Sequence, residues 1–112
     1  MLAPNIFANA NTFRELRVPV DGCELYCRIW DTGRDDGPDV ILVHGRNANL
    51  HWWTFVAPEL KAARRIVSFD SGGDGDSQPR TVYSHRAYAA EVRAVAEATG
   101  LDRPVIVGHS FG

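Results

Sequence analysis

The stretch Gly108-His109-Ser110-Phe111-Gly112 sets a serine between two glycines, directly after the apolar run Val105-Ile106-Val107. A Gly-x-Ser-x-Gly motif in that position fits a sharp turn between a strand and a helix. The glycines leave room for a tight backbone, and the hydroxyl is carried out at the tip. The expected catalytic residue is therefore Ser110, acting as a nucleophile on a carbonyl. The backbone N–H of Phe111 would face the oxyanion that forms, aided by the N-terminus of the following helix. A second donor is needed, and the loop His44-Gly45-Arg46 offers one: Gly45 permits a close approach, and the backbone N–H of Arg46 would point inward. His44 is expected to anchor that loop and not to act as the base, because its place is fixed by the end of a strand.

A serine is a weak nucleophile until a base takes its proton, and the base needs an acid to orient it. The four histidines are His44, His51, His85 and His109, and none is placed by its local sequence to serve Ser110. A third loop, residues 69–79, interleaves Asp70, Asp74 and Asp76 with glycines. Hard cations favour such oxygens, but the spacing and the closing Glu of a helix-loop-helix calcium site are missing. The loop is read as a structural glycine turn at the rim of the site, with no metal and no cofactor.

The elements that must hold these loops follow from periodicity. Residues 13–20 and 22–31 alternate, with Leu16, Val18 and Val20 on one face, and Cys23, Leu25, Cys27 and Ile29 on another. Asp21-Gly22 between them is a hairpin signal. Three continuous apolar runs follow, at 39–44, 64–70 and 104–109, of the kind that suits strands covered on both faces. Residues 52–63 read as a helix that Pro58 bends or breaks. Residues 84–100 read as a longer helix, with Ser84 as cap, Gly100 at its end, and a stripe of Ala89, Val92 and Ala96 beside Tyr88, Val95 and Thr99. The order gives an antiparallel hairpin followed by a parallel βαβαβ unit, an α/β fold. Ligands in such sheets gather beyond the C-terminal strand ends, where the three loops lie.

The bulk properties are those of a folded chain: 112 residues, 45% of them hydrophobic, with a formal net charge of −2. That balance gives no attraction to nucleic acid. No run approaches the roughly 18 apolar residues of a membrane span, and no secretory leader pattern opens the chain, so a cytoplasmic location is expected. Residues 1–12 read as an N-terminal arm and 13–112 as a partial domain. Cys23 and Cys27 fall on one face of a strand, about 13 Å apart, too far for a disulfide. They are expected as buried free thiols.

The landmarks together resemble the N-terminal portion of the α/β-hydrolase fold family, of the serine esterase, haloperoxidase and C–C hydrolase type. They are Val40-Ile41-Leu42-Val43-His44-Gly45, Trp53, Pro58 with Leu60, residues 65–70, Gly73 through Ser77, and residues 105–112. The third loop of that family usually reads D-x-R-G-H/Y-G-x-S. Gly72 stands here where Arg is usual, which implies a less anchored loop, and Asp74 stands where His or Tyr is common. The resemblance implies a sheet that begins in the order 1-2-4-3-5 and is incomplete after the nucleophile elbow. It implies a serine hydrolase acting on a small ester-like substrate through an acyl-enzyme. Serine, where related dehalogenases and epoxide hydrolases use aspartate, argues against those reactions. The triad acid and histidine of the family follow the serine, and no such residue follows Ser110 here. The alternatives are a truncated, non-catalytic fragment that is inactive as an isolated chain, or an acyltransferase. A last expectation is aggregation or pairing through the apolar edge strand at 104–109.

Overall fold

The computed structural model describes residues 13–45, 49–53, 56–80 and 83–109. Five strands form one sheet: β1 (Arg14–Val20), β2 (Cys23–Asp31), β3 (Asp39–Val43), β4 (Arg65–Phe69) and β5 (Val105–Gly108). Among the described residues one α-helix, α1 (His85–Ala98), lies between β4 and β5. The strand order is β1-β2-β4-β3-β5, with β3 parallel to both β4 and β5, and β2 antiparallel to β1 and β4.

The hairpin forms where the sequence places it. Asp21 and Gly22 both take positive φ, 49° and 78°, and this two-residue turn matches the twist of the strands it joins. Val20 then pairs with Cys23. The alternating residues Val18, Val20, Leu25, Cys27 and Ile29 are buried together with Ile41, Val43, Val67, Phe69 and Val95 of α1. The opposite sheet face packs Trp30, Val40, Leu42 and Ile66 against Trp53, Ala57 and Ala63. Both cysteines are buried and free.

Three sequence expectations need correction. Residues 52–63 are not one helix: two short 3₁₀ turns, Leu50–Trp53 and Ala57–Glu59, stand in that region. Pro58 lies at the start of the second, where its missing N–H is harmless, and Leu60 already leaves helical geometry. This arrangement turns Trp53 and Ala57 onto the sheet. The stripe expected on α1 holds in part: Val95, and Thr99 just beyond the helix, are buried and Val92 packs on the core, but Ala89 is exposed and Glu91 is buried instead. Finally, β5 is not covered on both faces as β3 is. Val105, Ile106 and Val107 are 51%, 59% and 38% exposed, because β5 ends the sheet with β3 as its one described neighbour.

The cap and stop of α1 are as read. Ser84 Oγ accepts the Ala87 N–H at 3.0 Å, and Gly100 takes φ +71° beyond the last turn. No helix among the described residues is long and apolar enough to cross a membrane.

Candidate functional site

At the C-terminal ends of β3 and β4, the described parts of the two following loops meet. Ser110, Phe111 and Arg46, the expected nucleophile and oxyanion donors, lie outside the described residues.

His44 leaves β3 fully enclosed, at 3% exposure. Its Nδ1 lies 2.7 Å from the Gly45 carbonyl, and its Nε2 lies 3.0 Å from the Ser71 amide. A carbonyl can only accept and an amide N–H can only donate, so Nδ1 carries the proton and Nε2 accepts. His44 therefore ties the loop after β3 to the loop after β4, the anchoring role read from its place in the sequence. Asp74 Oδ2 is 3.9 Å from Nε2. Burial raises the Asp74 carboxyl above its ordinary range, His44 opposes that rise and Asp70 adds to it.

Asp70 is the hub of the third loop and is completely buried. Its Oδ1 accepts the Leu50 N–H at 2.7 Å and its Oδ2 accepts the Asp76 N–H at 2.8 Å. Ser77 Oγ donates to the Asp70 carbonyl at 2.5 Å and accepts the Tyr26 N–H at 2.9 Å, stitching the loop to β2. Gly75 takes φ +48°, and a Cβ there would collide with the Asp70 carboxylate. The glycines thus fold the loop onto its own aspartate, as a structural turn should.

The expectation that Gly72 leaves this loop less anchored is overturned. Glu91 of α1, wholly buried, accepts the Gly72 N–H with both oxygens at 3.1 and 3.2 Å. Arg80 Nε donates to the same carboxylate at 2.5 Å, with its side chain only 5% exposed. A Cβ on Gly72 would sit 2.6 Å from Glu91 Oε2 and 2.8 Å from Arg80 Nε. The guanidinium that the family pattern would bring at position 72 arrives from position 80, and the space at 72 must stay empty to admit it. Sequence reasoning missed both residues. The available signal was a Glu set among Ala and Val on the longest helix.

Beside Ser110, His109 donates its backbone N–H to the Val43 carbonyl at 3.2 Å. Its ring lies 5.1 Å from that of Trp52, which is 57% exposed. Trp53 instead packs in the core at 7% exposure. His51 is exposed, with Nδ1 3.4 Å from Arg28 Nη1. His85 opens α1. A cavity of about 550 Å³ runs between α1 and β5, lined by Val43, Phe69, Tyr88, Val92, Ala96 and Ile106 among others.

This chain belongs to the alpha/beta hydrolase fold family, which matches residues 38–112. Among proteins of known name, it is similar to a proline iminopeptidase of Lactobacillus delbrueckii subsp. lactis, 30% identical over 105 residues that cover 88% of this chain and 35% of that protein. It is 38% identical over 82 residues to a fluoroacetate dehalogenase of a Burkholderia species, covering 68% of this chain and 27% of that one. Among solved structures, Cfl2 of Burkholderia cenocepacia superposes with a TM-score of 0.75 at 31% identity, over 87% of this chain and 33% of Cfl2. The chain thus spans about a third of the length of these relatives. Their names cover unlike reactions, so the fold selects no substrate.

The expected serine hydrolase working through an acyl-enzyme does not survive as a reading of this chain. The family match over residues 38–112 identifies a fold and not a reaction. Among the described residues no group of three or more His, Cys, Asp or Glu side chains is placed to hold a metal ion. His44 lies close to Asp74, but both of its ring nitrogens are engaged by backbone groups. Asp70 is likewise occupied by two amides. The non-catalytic alternative fits these findings better.

Proposed function

We propose that these 112 residues act as a non-catalytic scaffold: the N-terminal part of an α/β-hydrolase domain, with residues 13–112 as the folded unit and 1–12 as an arm. The unit holds the loops of a reaction site in place without supplying a base. The observation that carries this reading is the state of His44. It is the histidine enclosed at the strand ends, and its acceptor nitrogen is filled by the Ser71 N–H. Taking a proton from a serine would require breaking that bond and unlacing the loop after β4.

Hydrolysis of p-nitrophenyl acetate by the purified 112-residue chain tests it, with Ser110→Ala as the control. The expected rates of the two proteins coincide. Turnover that disappears with Ser110 would defeat the scaffold reading.

A further inference from the structure

The loop after β4 begins with a turn that offers His44 two opposite groups. Asp74 donates its backbone N–H to the Ser71 carbonyl at 2.8 Å, which closes residues 71–74 into a turn. Gly73 takes φ +86° at the third position of that turn, a place that favours glycine. The turn therefore carries the Ser71 N–H at one end and the Asp74 carboxylate at the other. Both address one atom: His44 Nε2 lies 3.0 Å from the Ser71 amide nitrogen and 3.9 Å from Asp74 Oδ2. We propose that His44 and this turn form a pH-sensitive latch. Neutral His44 holds the turn by accepting the Ser71 N–H. Protonated His44 releases that N–H and holds the Asp74 carboxylate instead.

The chemistry of the imidazole makes the two states exclusive. The Gly45 carbonyl, 2.7 Å away, keeps one proton on Nδ1, so a second proton goes to Nε2. Nε2 is then a donor and meets the Ser71 N–H donor to donor. An N⁺–H···O⁻ bond spans about 2.7–2.9 Å, so Asp74 Oδ2 has to close by about 1 Å to accept the new proton. The Asp74 side chain is 32% exposed and has room to turn. The backbone of the turn is held from other sides. Gly72 donates its N–H to Glu91, Gly73 donates to the Gln78 carbonyl at 2.9 Å, and the Asp74 carbonyl accepts the Ser77 N–H at 3.0 Å. The exchange is thereby confined to the Ser71 amide and the Asp74 side chain. Nδ1 stays on Gly45, so the loop after β3 keeps its tie to the ring in both states.

The charged neighbours of His44 single out Asp74 as the partner. On the loop after β4, Asp70 is buried, but its two oxygens accept the Leu50 and Asp76 amides. On α1, His85, Tyr88 and Arg93 line the same cavity as His44. Arg93, and His85 when protonated, oppose a further positive charge. The Arg93 side chain is 84% exposed and paired with Glu97 at 3.2 Å, which weakens its opposition. After β5, the His109 ring lies against Trp52. Asp74 is the carboxylate within reach of Nε2, and the two groups already sense each other: burial raises the Asp74 carboxyl and His44 opposes that rise.

Proton–nitrogen NMR of the 112-residue chain, scanned from about pH 8 to about pH 5 where histidines ordinarily change charge, tests the latch. The ring nitrogens of His44 report its tautomer and protonation, and the Ser71 amide reports the bond. At the alkaline end His44 is expected with its proton on Nδ1 and the buried Ser71 amide protected from hydrogen exchange. As His44 takes its second proton, Ser71 protection should fall about tenfold beyond the pH dependence of free amides, while the Leu50, Gly72 and Asp76 amides keep theirs. In Asp74→Asn the same step should need roughly tenfold more acid, because the opposite charge that favours the imidazolium is gone. His44→Gln has no titrating ring and should show no Ser71 step; Asp74→Asn carries the test should that variant fail to fold. Four results would overturn the proposal. They are a Ser71 amide still protected when His44 is protonated, a Ser71 step unmoved in Asp74→Asn, a His44 ring that stays neutral across the scan, or loss of the Leu50, Gly72 and Asp76 amides together with Ser71. None of these readouts involves serine-dependent turnover, so the latch and the scaffold reading fail separately.

Discussion

Replacing Glu91 with Ala is expected to be among the most damaging single changes in this chain. Glu91 is fully buried and accepts both the Gly72 N–H and the Arg80 guanidinium. Truncation leaves a cation whose side chain is 5% exposed without its counter-charge. Breaking a buried pair from one side costs about 3–5 kcal/mol, much more than the pair contributes over an apolar substitute. Stabilities of roughly 0.05–0.15 kcal/mol per residue make that a large share of the total for a chain of this size. Glu91→Gln keeps an oxygen for the Gly72 amide and removes only the charge, so it should cost less than Ala. The double variant Arg80→Met with Glu91→Leu removes both charges and fills the space. It should recover most of the loss, short of about 1–3 kcal/mol for the Gly72 N–H left without an acceptor. Urea unfolding followed by tryptophan fluorescence reads all four proteins, since Trp30 and Trp53 are buried. A cost for Glu91→Ala below about 1 kcal/mol, or a double variant no more stable than Glu91→Ala alone, would refute the argument that a buried charge pair holds the loop.

Asp74→Asn is expected to raise the melting temperature at neutral pH. The folded-state pKa of Asp74 is raised, chiefly by burial, so its ionised form weakens the fold. Its contribution is full below the unfolded pKa and is lost as pH rises through the folded one; the advantage of Asn should therefore shrink as pH falls through that value in a melting series. Native protein should resist thiol labelling at pH 8 and label fully in denaturant, because burial pushes the Cys27 thiol up to about 12 and raises Cys23 as well; rapid native labelling of Cys27 contradicts this. Trp53→Ala should cost about 3–5 kcal/mol by urea unfolding, and Trp52→Ala, which removes an exposed ring stacked on His109, about 1 kcal/mol. Equal costs would mean that the division between packing and exposed tryptophan is wrong.

Much of the frame could be read from local signals. Asp21-Gly22 and the alternation around it specify the β1–β2 hairpin without help from the rest of the chain. Ser84 and Gly100 bracket α1 because caps act within a few residues. His44 was legible as an anchor, since a strand end fixes where its ring can reach. What escaped were features decided by distant partners. A Glu in a helix reads as surface until Arg80, eleven positions earlier in the chain, arrives beside it under the loop at Gly72. Its burial puts Glu91 beside the expected Val95 and Thr99, while Ala89 stays exposed. The region 52–63 carries helix-forming residues, yet the demand to seat Trp53 and Ala57 on the sheet, with Pro58 between them and Leu60, broke it into short turns. In the site itself the motif named a nucleophile, but a motif holds no information on whether a base is at hand.

The central claim is that this chain frames a reaction site without activating a nucleophile. A fluorophosphonate probe tests it most directly, because it reacts with an activated serine and leaves an ordinary hydroxyl untouched. Intact-protein mass measurement after incubation should show no adduct, with wild type and Ser110→Ala indistinguishable. A single adduct mapped to Ser110 and absent from the alanine variant would contradict the account.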